Sequence, residues 1–290
     1  MSSGFRRVAA VLALCASAPV LAQDLDGTKD NIAGPYVPTP WVIVEEMLKL
    51  ADIRGEDVVY DLGSGDGRLV ITAAKRFGAR GVGVELQTEL VEMARIAAKH
   101  EGVADRVKFV QGDLFETDIK DASVVMLYLL PRFVTRLVPR LRAELRPGTR
   151  IVSHDYPLAP WPPDRELSMD VAEKEMISGT SWTRLYFYVV PARVQGAWEL
   201  TLPRALADAP LVVRITQEPH AIGGRIHHGN AELFLRDLTV QGEGVRFGLL
   251  YRTRLIAFEG TVKGKTMTGE ARAGSVREPW TARYLGPLQR

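Results

Sequence analysis

The chain has 290 residues, 46% hydrophobic and 25% charged, which suits one large domain or two ordinary ones with a real core. The formal net charge is +2, and Arg6 and Arg7 are the only charges before Asp24, so residues 23–290 carry as many basic as acidic side chains. That balance gives no electrostatic case for nucleic acid or an anionic membrane surface as partner.

Residues 1–22 read as a separate element. Arg6 and Arg7 precede an apolar stretch from Val8 to about Val20, and Val20-Leu21-Ala22 forms a small-residue cleavage site before Gln23. This is the pattern of a secretory signal peptide, and it predicts a periplasmic or secreted protein. The stretch is shorter than the roughly 20 residues that span a bilayer and contains Pro19, so no stable membrane span is expected after cleavage. The residues after the arginine pair fit a twin-arginine signal poorly, and Leu14 before Cys15 fits a lipoprotein site poorly. Cys15 is the single cysteine, so cleavage removes any disulfide, zinc-thiolate or thiol nucleophile.

Residues 23–38 form an extended, Gly/Pro-rich lead-in. Thr39-Pro40 then predicts a helix start, with a hydroxyl at the N-cap and proline at the first helical position. Trp41, Val44, Met47, Leu48 and Ala51 follow at helical spacing. Val58-Val59-Tyr60 is a short buried strand. Residues 67–77 are a helix stopped by Gly78, and Gly81–Val84 is a second strand. Residues 88–101 form a helix opened by Thr88 and closed by Gly102. Val107–Val110 is a third strand, Ser123–Leu129 an apolar fourth. Pro131 opens a helix to about Leu145, and Arg150–Ser153 is a fifth strand. Alternating strands and helices imply a doubly wound α/β domain over 39–191 with a mostly parallel sheet. Residues 166–177 and 182–190 carry β-formers with no helix between them and predict an antiparallel edge hairpin.

From Gly196 to 290 the pattern is β-rich. Seven short runs, beginning with "AWELTL" and "LVVRITQ" and ending with "WTARYL", are separated by turns such as Gly223-Gly224 and Gly229-Asn230. They predict an all-β C-terminal domain, an up-and-down sheet or small barrel.

The stretch Asp61-Leu62-Gly63-Ser64-Gly65-Asp66-Gly67 joins a strand to a helix, where open α/β sheets bind ligands. A dinucleotide fingerprint is G-x-G-x-x-G; here the spacing is G-x-G-x-G behind an acid. A carboxylate at Asp61 repels a pyrophosphate and suits an amine or a sulfonium. Glu85 ends the second strand, where it can accept both hydroxyls of a ribose. Asp113 follows the third and can accept from an exocyclic amino group. Each acid alone could be a turn or a solvated strand end; the three in register are specific.

"YDLGSGDG", "GVGVE" and "VQGDL" resemble, in order and spacing, the class I S-adenosylmethionine-dependent methyltransferases, over roughly residues 36–190. "PYVPTP", "DLGSGDGR" and "SHDYPLAPW" resemble the group of lysine methyltransferases acting on the ATP synthase c subunit and the adenine nucleotide translocase, with their bacterial relatives. The resemblance implies S-adenosyl-L-methionine as cofactor and methyl transfer by in-line displacement to a nitrogen, lysine-like, on a protein. It places Tyr36 to Thr39 as a lid over the methionine part. Asp61, Gly63, Ser64 and Gly65 then hold the amino-acid end, Glu85 the ribose, and Asp113 with the Leu114 amide the adenine. The export signal and β-rich domain depart from that group, leaving a small-molecule methyltransferase or an exported, non-catalytic binding module as alternatives.

Tyr128, at the end of the fourth strand, and His154, after the fifth, are candidate catalytic residues, to orient the acceptor and to take a proton. A core aromatic and a turn with a helping hydrogen bond in His154-Asp155 are their plainer roles. No metal is expected: His220, His227 and His228 read as a solvated turn. Trp182, Trp198 and Trp280 read as core.

Overall fold

The computed structural model describes residues 36–202, 210–228 and 231–288. The signal segment 1–22 and residues 23–35 of the lead-in lie outside the described residues. Among the described residues, no helix is long and apolar enough to cross a membrane.

Five parallel strands form the body of the first sheet: β1 (Val58–Leu62), β2 (Arg80–Glu85), β3 (Val107–Gln111), β4 (Val124–Leu127) and β5 (Arg150–His154). Two antiparallel strands, β6 (Arg165–Asp170) and β7 (Trp182–Val189), complete it in the order β3-β2-β1-β4-β5-β7-β6. Successive side chains of a strand face opposite ways. Val59, Met126 and Val152 therefore meet α1 (Trp41–Leu50), α2 (Arg68–Phe77) and α3 (Thr88–His100) on one face. Leu62, Val125, Leu127 and Ile151 meet α4 (Pro131–Glu144) on the other. The α4 residues buried there, Phe133, Val134, Leu137, Val138 and Leu141, recur at helical spacing.

Three local differences have physical causes. Helix α1 starts at Trp41, with Pro40 rather than Thr39 preceding it and no side-chain cap; Pro40 is extended at ψ 144°. Strand β4 stops at Leu127, so Tyr128 to Leu130 leave the sheet before Pro131 opens α4. A short helix, α5 (Ala172–Ser178), sits between the edge strands where none was expected, ended by left-handed Gly179. Its seven residues give too little periodicity to read.

The C-terminal region is a closed eight-stranded antiparallel barrel. It comprises β8 (Gly196–Thr201), β9 (Leu211–Gln217), β10 (Ile222–His228), β11 (Ala231–Gln241), β12 (Gly244–Tyr251), β13 (Arg254–Lys263), β14 (Thr266–Ala273) and β15 (Val276–Gly286). Seven of these strands are expected from the sequence. The eighth, β10, contains Gly223-Gly224 and the histidines 227 and 228 that read as turn. A side chain at Gly224 would run into Leu235 of β11, 2.5 Å away, so the strand is bare where its neighbour is bulky. The interior is filled by side chains, as eight strands allow. Phe247 stacks on Phe258 at 4.4 Å, and Trp280 meets both edge-on. Trp198 and Trp280 are buried, each donating its indole N–H to a backbone carbonyl. Trp182, expected in the core, is exposed at the start of β7, where it pairs with Asp170 at the end of the edge strand β6 and lies beyond the stretch that pairs with β5.

The barrel packs beneath the sheet, at the end where β5 begins. The Ala192 amide donates to the Gly242 carbonyl (2.7 Å), and Gln241 Nε2 donates to Asp164 Oδ1 (2.8 Å). Gln217 accepts from the Val194 amide and donates to the Ala192 carbonyl.

Candidate active site

The parallel pairing of β1, β2 and β3 brings Asp61, Glu85 and Asp113 to one rim, the carboxyl ends of three adjacent strands. The glycine loop after β1 is pinned there. The amides of Gly63 and Ser64 both donate to the Val84 carbonyl, at 2.8 and 3.0 Å. The Gly65 amide donates to Glu85 Oε2 (3.0 Å), while Glu85 Oε1 accepts from the Leu86 and Gln87 amides. One carboxylate thus ties the loop to the start of α3. Gly65 has φ +52°, and a Cβ there would lie 2.5 Å from the Tyr36 ring, so glycine is what admits Tyr36 here.

The segment Tyr36 to Thr39 is held by residues not singled out from the sequence. Arg68 Nη1 donates to the Thr39 carbonyl (2.6 Å), and its Nε and Nη2 donate to Asp66. Its guanidinium lies 5.0 Å over the Trp41 ring. The signal was present in "GDGR": an acid and an arginine two apart, flanking the glycine that opens a helix. What the sequence does not give is that Thr39, 29 residues earlier, lies within reach. Thr39 is buried and serves through its backbone rather than its hydroxyl.

Asp61 is 3% exposed, and its carboxylate has no hydrogen-bond donor among the described residues. Burial first, then the charges of Asp66 and Glu85, push its pKa up to about 8. The Ser64 hydroxyl beside it is also buried without a partner. A buried carboxylate and an orphaned hydroxyl beside a glycine cradle fit a ligand that brings both a cation and an acceptor; the α-ammonium and carboxylate of an amino-acid moiety supply the two. Asp113 is committed in part: its Oδ1 accepts from the Phe115 amide (2.8 Å), and its carbonyl holds the turn to Thr117. Leu114 is buried, with its carbonyl taken by Arg140 (2.6 Å).

Tyr128 and His154 sit side by side just past β4 and at the end of β5, their rings 3.9 Å apart. His154 is fully buried, and burial lowers its pKa to about 4, so it is neutral. The Thr183 hydroxyl gives its one hydrogen to Asp155 Oδ1 (2.8 Å) and so accepts from His154 Nε2 (2.8 Å). His154 Nδ1 is left as a buried lone pair without a partner. Burial raises the Tyr128 pKa to about 12, so the phenol keeps its proton. A second side chain that sequence reasoning passes over is Lys174, on α5. It is 3% exposed, lies 2.7 Å from Asp155 Oδ2, and donates to the Trp182 carbonyl (2.6 Å). Asp155, in the left-handed region at φ +62°, would be raised by burial, but His154, Lys174 and Thr183 hold it below the usual carboxylate range. Away from this rim, His227 lies on β10, 3.8 Å from Glu232.

The ANTKMT methyltransferase domain family matches residues 61–165, from the glycine-loop acid to the start of β6. A protein-lysine N-methyltransferase from Saccharolobus islandicus is 41% identical over 157 residues, 54% of this chain and 93% of that protein. An adenine nucleotide translocase lysine N-methyltransferase from Mus musculus is 39% identical over 44% of this chain; the match spans 56% of that protein, little more than half its length. The crystal structure of an RNA methyltransferase from Salinibacter ruber, bound to S-adenosyl-L-homocysteine, superposes with a TM-score of 0.50 at 49% identity, covering 55% of this chain and 96% of that one. That product lacks only the methyl group of the cofactor. With sequence and fold in agreement, the chain belongs to the ANTKMT methyltransferase domain family and is an S-adenosylmethionine-dependent methyltransferase.

Proposed function

We propose that this chain methylates the ε-amino nitrogen of a lysine on a protein, and that it does so after export. The single observation that carries the acceptor is the 41% identity to a protein-lysine N-methyltransferase across nearly the whole of that protein. The Salinibacter relative is named an RNA methyltransferase, which makes RNA the rival acceptor. Residues 23–290, with no net charge, offer RNA no general attraction, and this favours the protein reading. The basic start and apolar stretch of residues 1–22 support export.

When bound, S-adenosylmethionine supplies an activated methyl group, so the protein's work is alignment, which can contribute roughly 7–11 kcal/mol. Asp61 and the Ser64 hydroxyl hold the amino-acid end, Glu85 the ribose, and Asp113 with the Leu114 amide the adenine. Tyr36 to Thr39, clamped by Arg68, cover the site and exclude water. A lysine with a reference pKa of about 10.4 must arrive without its proton. The half-buried surroundings of Tyr128 favour the neutral amine, and its phenol keeps a hydrogen with which to orient an acceptor. His154, neutral and a weak base, acts by holding the Tyr128 ring.

The test incubates residues 23–290 with S-adenosylmethionine and cell-envelope proteins, and in parallel with total RNA, and locates the added methyl by mass spectrometry. A methylated lysine is expected; methyl groups on RNA alone would overturn the acceptor reading. Amino-terminal sequencing of the protein from the periplasmic fraction is expected to begin at Gln23. Recovery in the cytosol with Met1 intact would overturn export.

A further inference from the structure

Where the barrel meets the sheet domain, a cleft of about 880 Å³ opens between α4, the 191–195 connection and β15. Its walls include Val138, Pro160, Trp198 and Tyr284. Among the described residues it is lined by three cationic side chains, Arg142, Arg193 and Lys265, and by no aspartate or glutamate. None of the three forms an ion pair with the described residues; Arg193 only donates to the Arg142 carbonyl, at 3.4 Å. Arg142 is the pivot. It also lines a second cleft of about 500 Å³ on its other side, with Trp161. Its guanidinium lies 5.2 Å over the Trp161 ring and donates to no side chain among the described residues. Burial lowers its pKa, and Glu218, the acid whose field reaches it, forms no ion pair with it. A half-buried guanidinium prefers a planar anion that can take two of its hydrogens.

We propose that this junction is a second ligand site, distinct from the methyl-transfer rim, and that it takes an amphipathic monoanion: a carboxylate held by Arg142, Arg193 and Lys265, with its apolar body along Val138, Pro160, Trp198 and Tyr284. The volume lies in the range of small-molecule sites, and apolar walls with a few convergent polar groups are their usual make-up. The site is lined by Pro191, two residues past Val189, which pairs with Arg150 at the beginning of β5, the opposite end of that strand from His154. Its occupancy is therefore separate from cofactor binding, and the proposal stands whether or not lysine is the acceptor.

The test is calorimetric titration of residues 23–290 with sodium dodecanoate below its micellar concentration, beside dodecyl maltoside, dodecyltrimethylammonium and inorganic phosphate. One saturable site is expected for dodecanoate only. In Arg142→Gln, binding is expected to weaken by about tenfold or more, as for loss of a charge-assisted pair. The double variant Arg193→Gln/Lys265→Gln changes only exposed side chains and carries the test should Arg142→Gln fail to fold; it too is expected to weaken binding. S-adenosylmethionine affinity is expected to stay unchanged in every folded variant. Equal binding of the neutral or cationic amphiphile, phosphate binding as tightly as dodecanoate, or unchanged dodecanoate affinity in the double variant would overturn the proposal.

Discussion

Asp61 carries the tension between stability and function in this protein. Its folded pKa of about 8 lies well above the ordinary carboxylate value, so between about pH 4 and 8 the ligand-free native state holds a proton that the unfolded chain has lost. Stability without ligand should therefore fall as pH rises through that window, read as a declining melting temperature. Asp61→Asn removes the titration. It should raise the melting temperature at pH 7.5 by on the order of several degrees, while weakening S-adenosylmethionine by roughly 10- to 100-fold through loss of a charge-assisted hydrogen bond. A variant that melted lower and bound normally would contradict this. The same proton sets the pH dependence of binding. A cationic ligand needs the carboxylate, so affinity should climb by up to about tenfold per pH unit below 8, until the ligand's own α-amino group begins to lose its proton. Calorimetry in buffers of different ionisation enthalpy should detect the proton released. The three acids are legible in the sequence because each follows an apolar run. The shifted pKa is not, since it depends on how deeply Asp61 is buried and on Asp66 and Glu85 converging on it.

At the scale of elements, the site rests on two devices that local pattern conceals. One is the Arg68 clamp, through which the first turn of α2 holds the lead-in. The other is α5, which brings Lys174 under Asp155 and so orders Thr183, His154 and Tyr128 in series. Lys174→Met keeps the stem and removes the charge, leaving Asp155 mostly buried with one partner fewer. The cost should be on the order of 3 kcal/mol, a fall of roughly 10 °C in melting temperature. Turnover should fall more than cofactor affinity does, because Asp155 holds Thr183, His154 and Tyr128, the group proposed to face the acceptor, and touches none of the glycine loop. A loss of cofactor binding as large as the loss of turnover would count against that division. The helices and parallel strands are legible in the sequence because their apolar runs and helical spacings are local and regular. Helix α5 and strand β10 escape it, one because it is short, the other because its glycines make room for Leu235, a residue of another strand.

Across the whole molecule, two cores are built on different periods. The sheet domain buries strand residues on both faces, and the barrel buries alternate residues inward around Phe247, Phe258 and Trp280. Trp280→Ala empties the middle of the barrel and should cost about 3–5 kcal/mol. Because the barrel meets the sheet at the end away from the cradle, S-adenosylmethionine affinity of the folded variant should be unchanged; a tenfold loss in titration would show the barrel coupled to the cofactor site. Gly242 marks the junction: a Cβ there would lie 3.3 Å from the Gly148 backbone. By itself the sequence determined the doubly wound class, the β-rich C-terminal region and the three acids at the rim, because hydrophobic period and glycine spacing are local properties of the chain. Only the tertiary structure decided that the barrel closes, that it lies beneath the sheet, that Arg68 reaches Thr39, and that Lys174 pairs with Asp155. Those outcomes depend on strand order and on which distant side chains come within hydrogen-bonding distance, and no local pattern encodes a distance across the fold.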